Sequence, residues 1–160
     1  MALSFVALAV TGLITTFGKA VLLPLIGYTL FSWLATISTL VHNFTGPLFA
    51  VAVPVFIVLF VRDNLPKAYD VQWLVKFGGM LDRSGATHVS SGKFNAGEKG
   101  EFWLMVCLLS VVLVVTGLIL DFPNFNQMRS TMQIANVIHM IAALLAVAMA
   151  IPLSAPEPNG

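Results

Sequence analysis

Charge is what this chain has least of. Of its 160 residues 9% are Asp, Glu, Lys or Arg, and between Ala20 and Val61 there is none. A soluble domain of this length carries roughly 25% charged residues, so a water-facing globule is excluded. With 58% hydrophobic residues and a mean hydropathy of +0.93, most of the surface must meet lipid. A net charge of +1 gives nucleic acid no electrostatic hold. One cysteine, Cys107, excludes an internal disulfide, and its apolar setting reads as a small buried hydrophobe. The four runs that can span a bilayer contain no acidic residue, and Pro54 is their only clear interior breaker, so a transporter-type ion site has little to build on.

What is present is a series of apolar runs: Met1 to Phe17, Val21 to Ser38, Leu40 to Val61, Phe102 to Leu120 and Met132 to Leu153. A bilayer core takes about 20 helical residues. Four runs read as spans, at about 1–17, 40–61, 102–120 and 131–152. Pro24 and Gly27 interrupt the remaining one, so 21–38 reads as an interfacial connection, with Tyr28 and Trp33 suited to a membrane boundary. The expected fold is all-α, an integral-membrane four-helix bundle in one domain over 1–160. An interfacial segment joins spans 1 and 2, and a loop over 62–101 joins spans 2 and 3. Six of the eight basic side chains, Arg62, Lys67, Lys76, Arg83, Lys93 and Lys99, fall in that loop. The positive-inside rule then makes the loop cytoplasmic and, with four spans, both termini as well.

The first run lacks the basic start and small-residue cleavage site of a signal peptide, so it reads as a span. At 1.5 Å per residue it reaches only about 26 Å, and the expectation is a clipped N-terminus. Within the loop, Val71, Trp73, Leu74 and Phe77 form one apolar edge of a short helix between turn signals at Pro66 and Gly78-Gly79. No internal repeat stands out, and "PLSAPEPNG" is a polar, Pro-rich tail.

Two of the three histidines interrupt apolar runs: His42 in "TLVHNFTGPLF" and His139 in "ANVIHMIAAL". An ionisable ring in a span is costly and turns to the protein interior, which makes it a functional candidate. A neutral histidine holding two helices together by a hydrogen bond is an equally good reading. His88, in the polar loop, reads as a solvated residue. His42 and His139 both lie near the outer ends of their spans, at similar depth. Two neutral imidazoles facing each other across a bundle are what a six-coordinate b-type haem requires, and Gly46 and Ala142-Ala143 leave room for a flat macrocycle. Such a haem, with both axial positions filled, carries electrons. No clustered carboxylates or paired cysteines offer another metal site within the spans.

The segments "LVHNFTGPLFAV", "FVRDNLPKAYDVQWL", "SGKFNAGEKGEFW" and "TMQIANVIHMIAAL" resemble the gamma subunit of membrane-bound formate dehydrogenases, a di-haem cytochrome b, in order along nearly the whole chain. The resemblance implies a four-helix anchor in the bacterial inner membrane. It takes electrons from the iron–sulfur subunit of a formate-oxidising complex, which also holds a catalytic subunit, and passes them through haem b to quinone. It also implies a higher, trimeric assembly. By position, His42 and His139 match the two ligands of the outer haem. The inner haem's ligands would fall before Met1 and at Leu153, so its histidines are absent. The sequence is then an incomplete or altered di-haem subunit, or it holds one haem; the first is preferred, because one outer haem leaves a wide gap to a quinone on the cytoplasmic side. Two other readings stand beside this one: a cytochrome b anchor for a hydrogenase or another dehydrogenase, and a haem-free membrane scaffold.

In "SGKFNAGEKGEFW", Asn95 is expected as N-cap of the third span with Glu98 at N3, a reciprocal cap that satisfies orphan backbone N–H groups. The resemblance further implies that Asn95, Gly97 and Glu98 line the quinone pocket, with Glu98 as a proton relay. Phe102 and Trp103 read as an interfacial aromatic belt or as quinone neighbours, with the belt preferred.

Overall fold

Helices account for all regular structure among the described residues, which in this computed structural model are 1–76, 93–122 and 127–153. His88, Phe77, Gly78-Gly79 and the Pro-rich tail from Ser154 onward lie outside them, while Pro152 and Leu153 end the last helix. Among the described residues four helices are long and apolar enough to cross a membrane: Ala2–Val21, Leu23–Phe60, Ala96–Asp121 and Arg129–Ile151. The first is α1 and the second α2 (Leu23–Phe60); α3 (Ala68–Val75) lies in the loop. The third span is composite, with α4 (Ala96–Glu101), a π-helical stretch over Phe102–Leu109, and α5 (Ser110–Asp121). The last helix, α6, covers Arg129–Leu153.

The segment expected as an interfacial connection is helical and belongs to α2. Pro24 sits in the first turn, where its missing N–H is no loss. Gly27 then breaks the helix with φ 77°, a conformation open to glycine and costly for other residues. From Tyr28 the helix runs on to Phe60, with Pro47 as well as Pro54 inside it. That stretch is about 50 Å long against a hydrocarbon core of about 30 Å, so it must tilt or project beyond the core. Its first part packs beside α1: a Cβ placed on Gly18 would come within 2.9 Å of the Phe31 ring. The broken opening of the run carried the turn, and the unbroken remainder extended the span.

The buried faces are narrow, as expected of a bundle whose remaining surface is covered by lipid. On α2 the line is Ser38, Phe49 and Val53; on α6 it is Ala135, Ala142 and Ala146. The small residues on α6 allow close approach, and Leu109, Ala142 and Ala146 pack with Phe5, Val112, Leu113 and Met149 where α1, α5 and α6 meet. Elsewhere the helices present large apolar side chains outward, Leu3, Leu25 and Val58 among them. Burying these groups in water-free surroundings needs a membrane, since the chain itself does not cover them.

The loop end of the bundle is tied by polar contacts. Asn95 caps the third span as expected: its side-chain oxygen accepts from Glu98 N–H at 2.9 Å, and its own N–H donates to the Glu98 carboxylate at 2.7 Å. Lys99 Nζ donates to both oxygens of Asp70 on α3, at 2.9 and 2.8 Å, and all but a few per cent of both residues is buried. That ammonium holds the Asp70 carboxyl below its ordinary value against the opposing effect of burial, with further help from the Lys67 N–H at 2.6 Å. Trp103 Nε1–H donates to the Asn64 carbonyl at 2.9 Å. Trp73 turns from the expected apolar edge to cover Gly97, whereas Val71 and Leu74 remain exposed.

Candidate functional site

His42 and His139 meet in the bundle interior. Their ring centroids are 6.2 Å apart and their planes are inclined by 75°. His42 lies on α2 between Ser38 and Phe49, and His139 on α6 between Ala135 and Ala142. The spacings, four and seven residues on α2 and four and three on α6, are those of one or two helical turns, so the ring shares the buried line.

Each ring is held by a hydroxyl from the preceding helix. Thr11 Oγ1 lies 3.0 Å from His42 Nδ1, and Thr116 Oγ1 lies 2.8 Å from His139 Nδ1. A hydroxyl has one proton, and each threonine gives it to a carbonyl one turn back: Thr11 to Ala7 at 2.6 Å, Thr116 to Val112 at 2.7 Å. Both histidines must therefore donate from Nδ1–H to the threonine oxygen. Their Nε2 atoms keep a lone pair, which is the form an imidazole needs to bind a metal.

Glycine lets the rings in. A Cβ on Gly12 would stand 3.3 Å from His42 Cε1, and one on Gly117 would stand 3.2 Å from His139 Cε1, both tighter than ordinary contact. The Thr-Gly pairs belong to one repeated pentapeptide, Val-Thr-Gly-Leu-Ile, at 10–14 and 115–119. The first hairpin, α1–α2, and the second, α5–α6, thus present the same triad of Thr, Gly and His. This corrects the expectation that no repeat is present. Thr11 precedes its histidine by 31 residues and Thr116 by 23, because α2 carries the extra turns after Gly27; the unequal spacing hides the repeat in the linear sequence.

A cavity of about 290 Å³ opens beside the two rings. Toward the loop end its walls are apolar, with Phe5, Leu8, Ala9, Phe49, Leu113 and Val147; toward the far end they include Thr15, Thr16, Asp121 and Asn136. Gly46 and Ala143 line it as well, and a Cβ on Gly46 would meet nothing within 4 Å. The rings lie nearer the far end: about 6 Å of helix separates Gly117 from Asp121, against about 30 Å from His42 to Arg62.

The donor set fits a haem. A metal held by both Nε2 atoms would set the ring centroids about 6 Å apart, from two nitrogen–metal bonds of about 2 Å and two ring radii of about 1.1 Å, against an observed 6.2 Å. A b-type haem takes only two protein ligands, so the absence of any cluster of three or more His, Cys, Asp or Glu among the described residues is no obstacle. Asn95, Gly97 and Glu98 are not part of this site: about 30 Å of helix separates Gly97 from Gly117. Cys107, half-buried in the π-helical stretch, is also outside it.

The family model for prokaryotic cytochrome b561 matches residues 1–153. The chain belongs to that family. As a cytochrome b561 family member it is also similar to the formate dehydrogenase, nitrate-inducible, cytochrome b556(Fdn) subunit of Escherichia coli K12, at 35% identity over 88 residues, 55% of this chain and 40% of that protein. The formate dehydrogenase cytochrome b556 subunit of Haemophilus influenzae is 29% identical over 123 residues, 72% of this chain and 51% of that protein. The matches to these curated relatives thus span about half of their length or less. The family and the four apolar helices together make this a multi-pass bacterial membrane protein.

Proposed function

We propose that the chain is the membrane electron-transfer subunit of a formate dehydrogenase, with His42 and His139 as the axial ligands of a b-type haem. The observation that carries the reading is the pair of rings 6.2 Å apart, each with Nδ1 engaged by a threonine and Nε2 left for iron. When bound, haem supplies a one-electron carrier with no open axial position. The protein's own part is positional. Nε2 of each histidine would hold the iron, Thr11 and Thr116 would fix the ring orientation, and the apolar walls around Leu8, Phe49 and Leu113 would exclude water. Thr15, Thr16 and Asn136 line the same cavity and would offer polar atoms to polar groups of a bound haem.

The printed names of the relatives support formate oxidation as the source of electrons. Iron–sulfur and catalytic subunits are the proposed partners, and a higher oligomer is the proposed assembly. Quinone is the proposed acceptor, with its head near Asn95, Gly97 and Glu98 at the loop end. Position alone supports that pocket, since the Glu98 carboxylate already accepts from Asn95 N–H. The excess of Lys and Arg in 62–101 supports a cytoplasmic loop and cytoplasmic termini.

Anaerobic membranes containing the assembled complex test the reading. Formate should reduce the b-type haem, and an added quinone should reoxidise it. Haem that ignores formate but is reduced by hydrogen would move the chain to a hydrogenase, and a colourless protein would make it a scaffold. A Glu98→Gln variant that keeps its haem should reduce quinone more slowly; an unchanged rate would remove the relay role.

A further inference from the structure

The repeated pentapeptide brings the same two residues to both histidines. Thr11 and Thr116 are 8% and 6% exposed. Each hydroxyl is committed in the same way, as donor to its own helix and as acceptor from the imidazole of the next. Two neutral acceptors in matching places do more than join helices. A carboxylate in that position would draw the Nδ1 proton and make the ring more anionic, whereas a hydroxyl oxygen leaves it a neutral imidazole with a defined tautomer. The adjoining glycines bring each ring against the backbone of the helix that carries the threonine, so the ring has little room to turn away.

Building on the haem reading above, we propose that Thr11 and Thr116 are equivalent positioning residues for the two axial imidazoles: each locks its histidine as the Nδ1–H tautomer and sets the electron donation of that ligand. The two half-sites then act on the iron in the same direction. Removing either acceptor should weaken the imidazole as a donor, loosen its orientation and raise the reduction potential of the haem. Outer partners of ligating histidines commonly change metal affinity by about 10–100-fold, and that is the range expected for haem retention here.

The experiment compares the full chain, purified with its haem, with Thr11→Val, Thr116→Val, Thr11→Ser and Thr116→Ser. Haem per chain, midpoint potential and the low-spin electron paramagnetic resonance signal are read for each. Both Val variants should lose haem more readily by about 10–100-fold, with a higher potential and an altered signal. Both Ser variants, which restore a hydroxyl, should return to parental values. Should a Val variant fail to fold, Thr→Ala at the same position replaces it in the comparison. Val or Ala variants with parental potential and retention overturn the assignment, and so do Ser variants that behave like Val. A parent chain that binds no haem overturns the haem reading itself, before any threonine is changed.

Discussion

The two ends of this bundle are held by different means. Toward the far end, the contacts at the rings join uncharged groups, two imidazoles, two hydroxyls and two glycines, around a cavity whose wall also holds Asp121. At the loop end they are tied by the Asp70–Lys99 ion pair, the Asn95–Glu98 cap and the Trp103–Asn64 hydrogen bond, none of which touches the cavity. A hydrogen bond between helices in a bilayer contributes only about 0.6 kcal/mol on average. The Thr–His pairs are thus weak as fasteners, and their value lies in orientation. The loop end has no such double duty. On the proposed reading one region holds the haem, whereas the other anchors the loop to the third span.

Changes that respect this division should separate haem binding from stability. The largest effect belongs to His42→Ala and His139→Ala, each of which should abolish the bound haem while the helical circular dichroism of the detergent-solubilised protein persists. Next comes Gly46→Phe. Its side chain would enter the cavity, where a Cβ meets no protein atom, and overpacking by about 1–3 kcal/mol should cut haem retention roughly tenfold. Haem quantified per chain checks both.

At the loop end the expected signs reverse. Asp70→Asn should lower thermal stability and leave the haem spectrum unchanged. Because the folded pKa of Asp70 is depressed, its contribution is present above the unfolded value of about 4 and fades as pH falls through the folded one. The stability gap between parent and variant should therefore close in acid and be full at neutral pH, as thermal unfolding at several pH values would show. The smallest effects are those of Asn95→Ala and Trp103→Phe, each about 1 kcal/mol from one lost cap or hydrogen bond. A shift in the haem spectrum in any of these loop-end variants would erase the distinction between the two ends.

The sequence was most legible where chemistry and periodicity coincided. His42 and His139 are ionisable rings in apolar runs, and interiors are the only tolerable place for them, so their meeting follows from cost. The Asn95–Glu98 cap follows likewise from a local spacing of three residues. Span boundaries were less legible around 21–38, because Pro24 is harmless in a first turn and only Gly27 breaks the helix. Thr11 and Thr116 escaped notice for another reason. Threonine is common in helices, and a five-residue repeat at 10–14 and 115–119 carries meaning only once the fold sets each copy beside a histidine. A search for short identical segments preceding each span histidine would have found it.

The most direct test of the central claim is a reduced-minus-oxidised absorbance spectrum of the purified parent chain, with haem quantified per polypeptide. The account predicts the spectrum of a low-spin b-type haem with two histidine ligands. A chain purified from haem-replete cells with no such spectrum would contradict it.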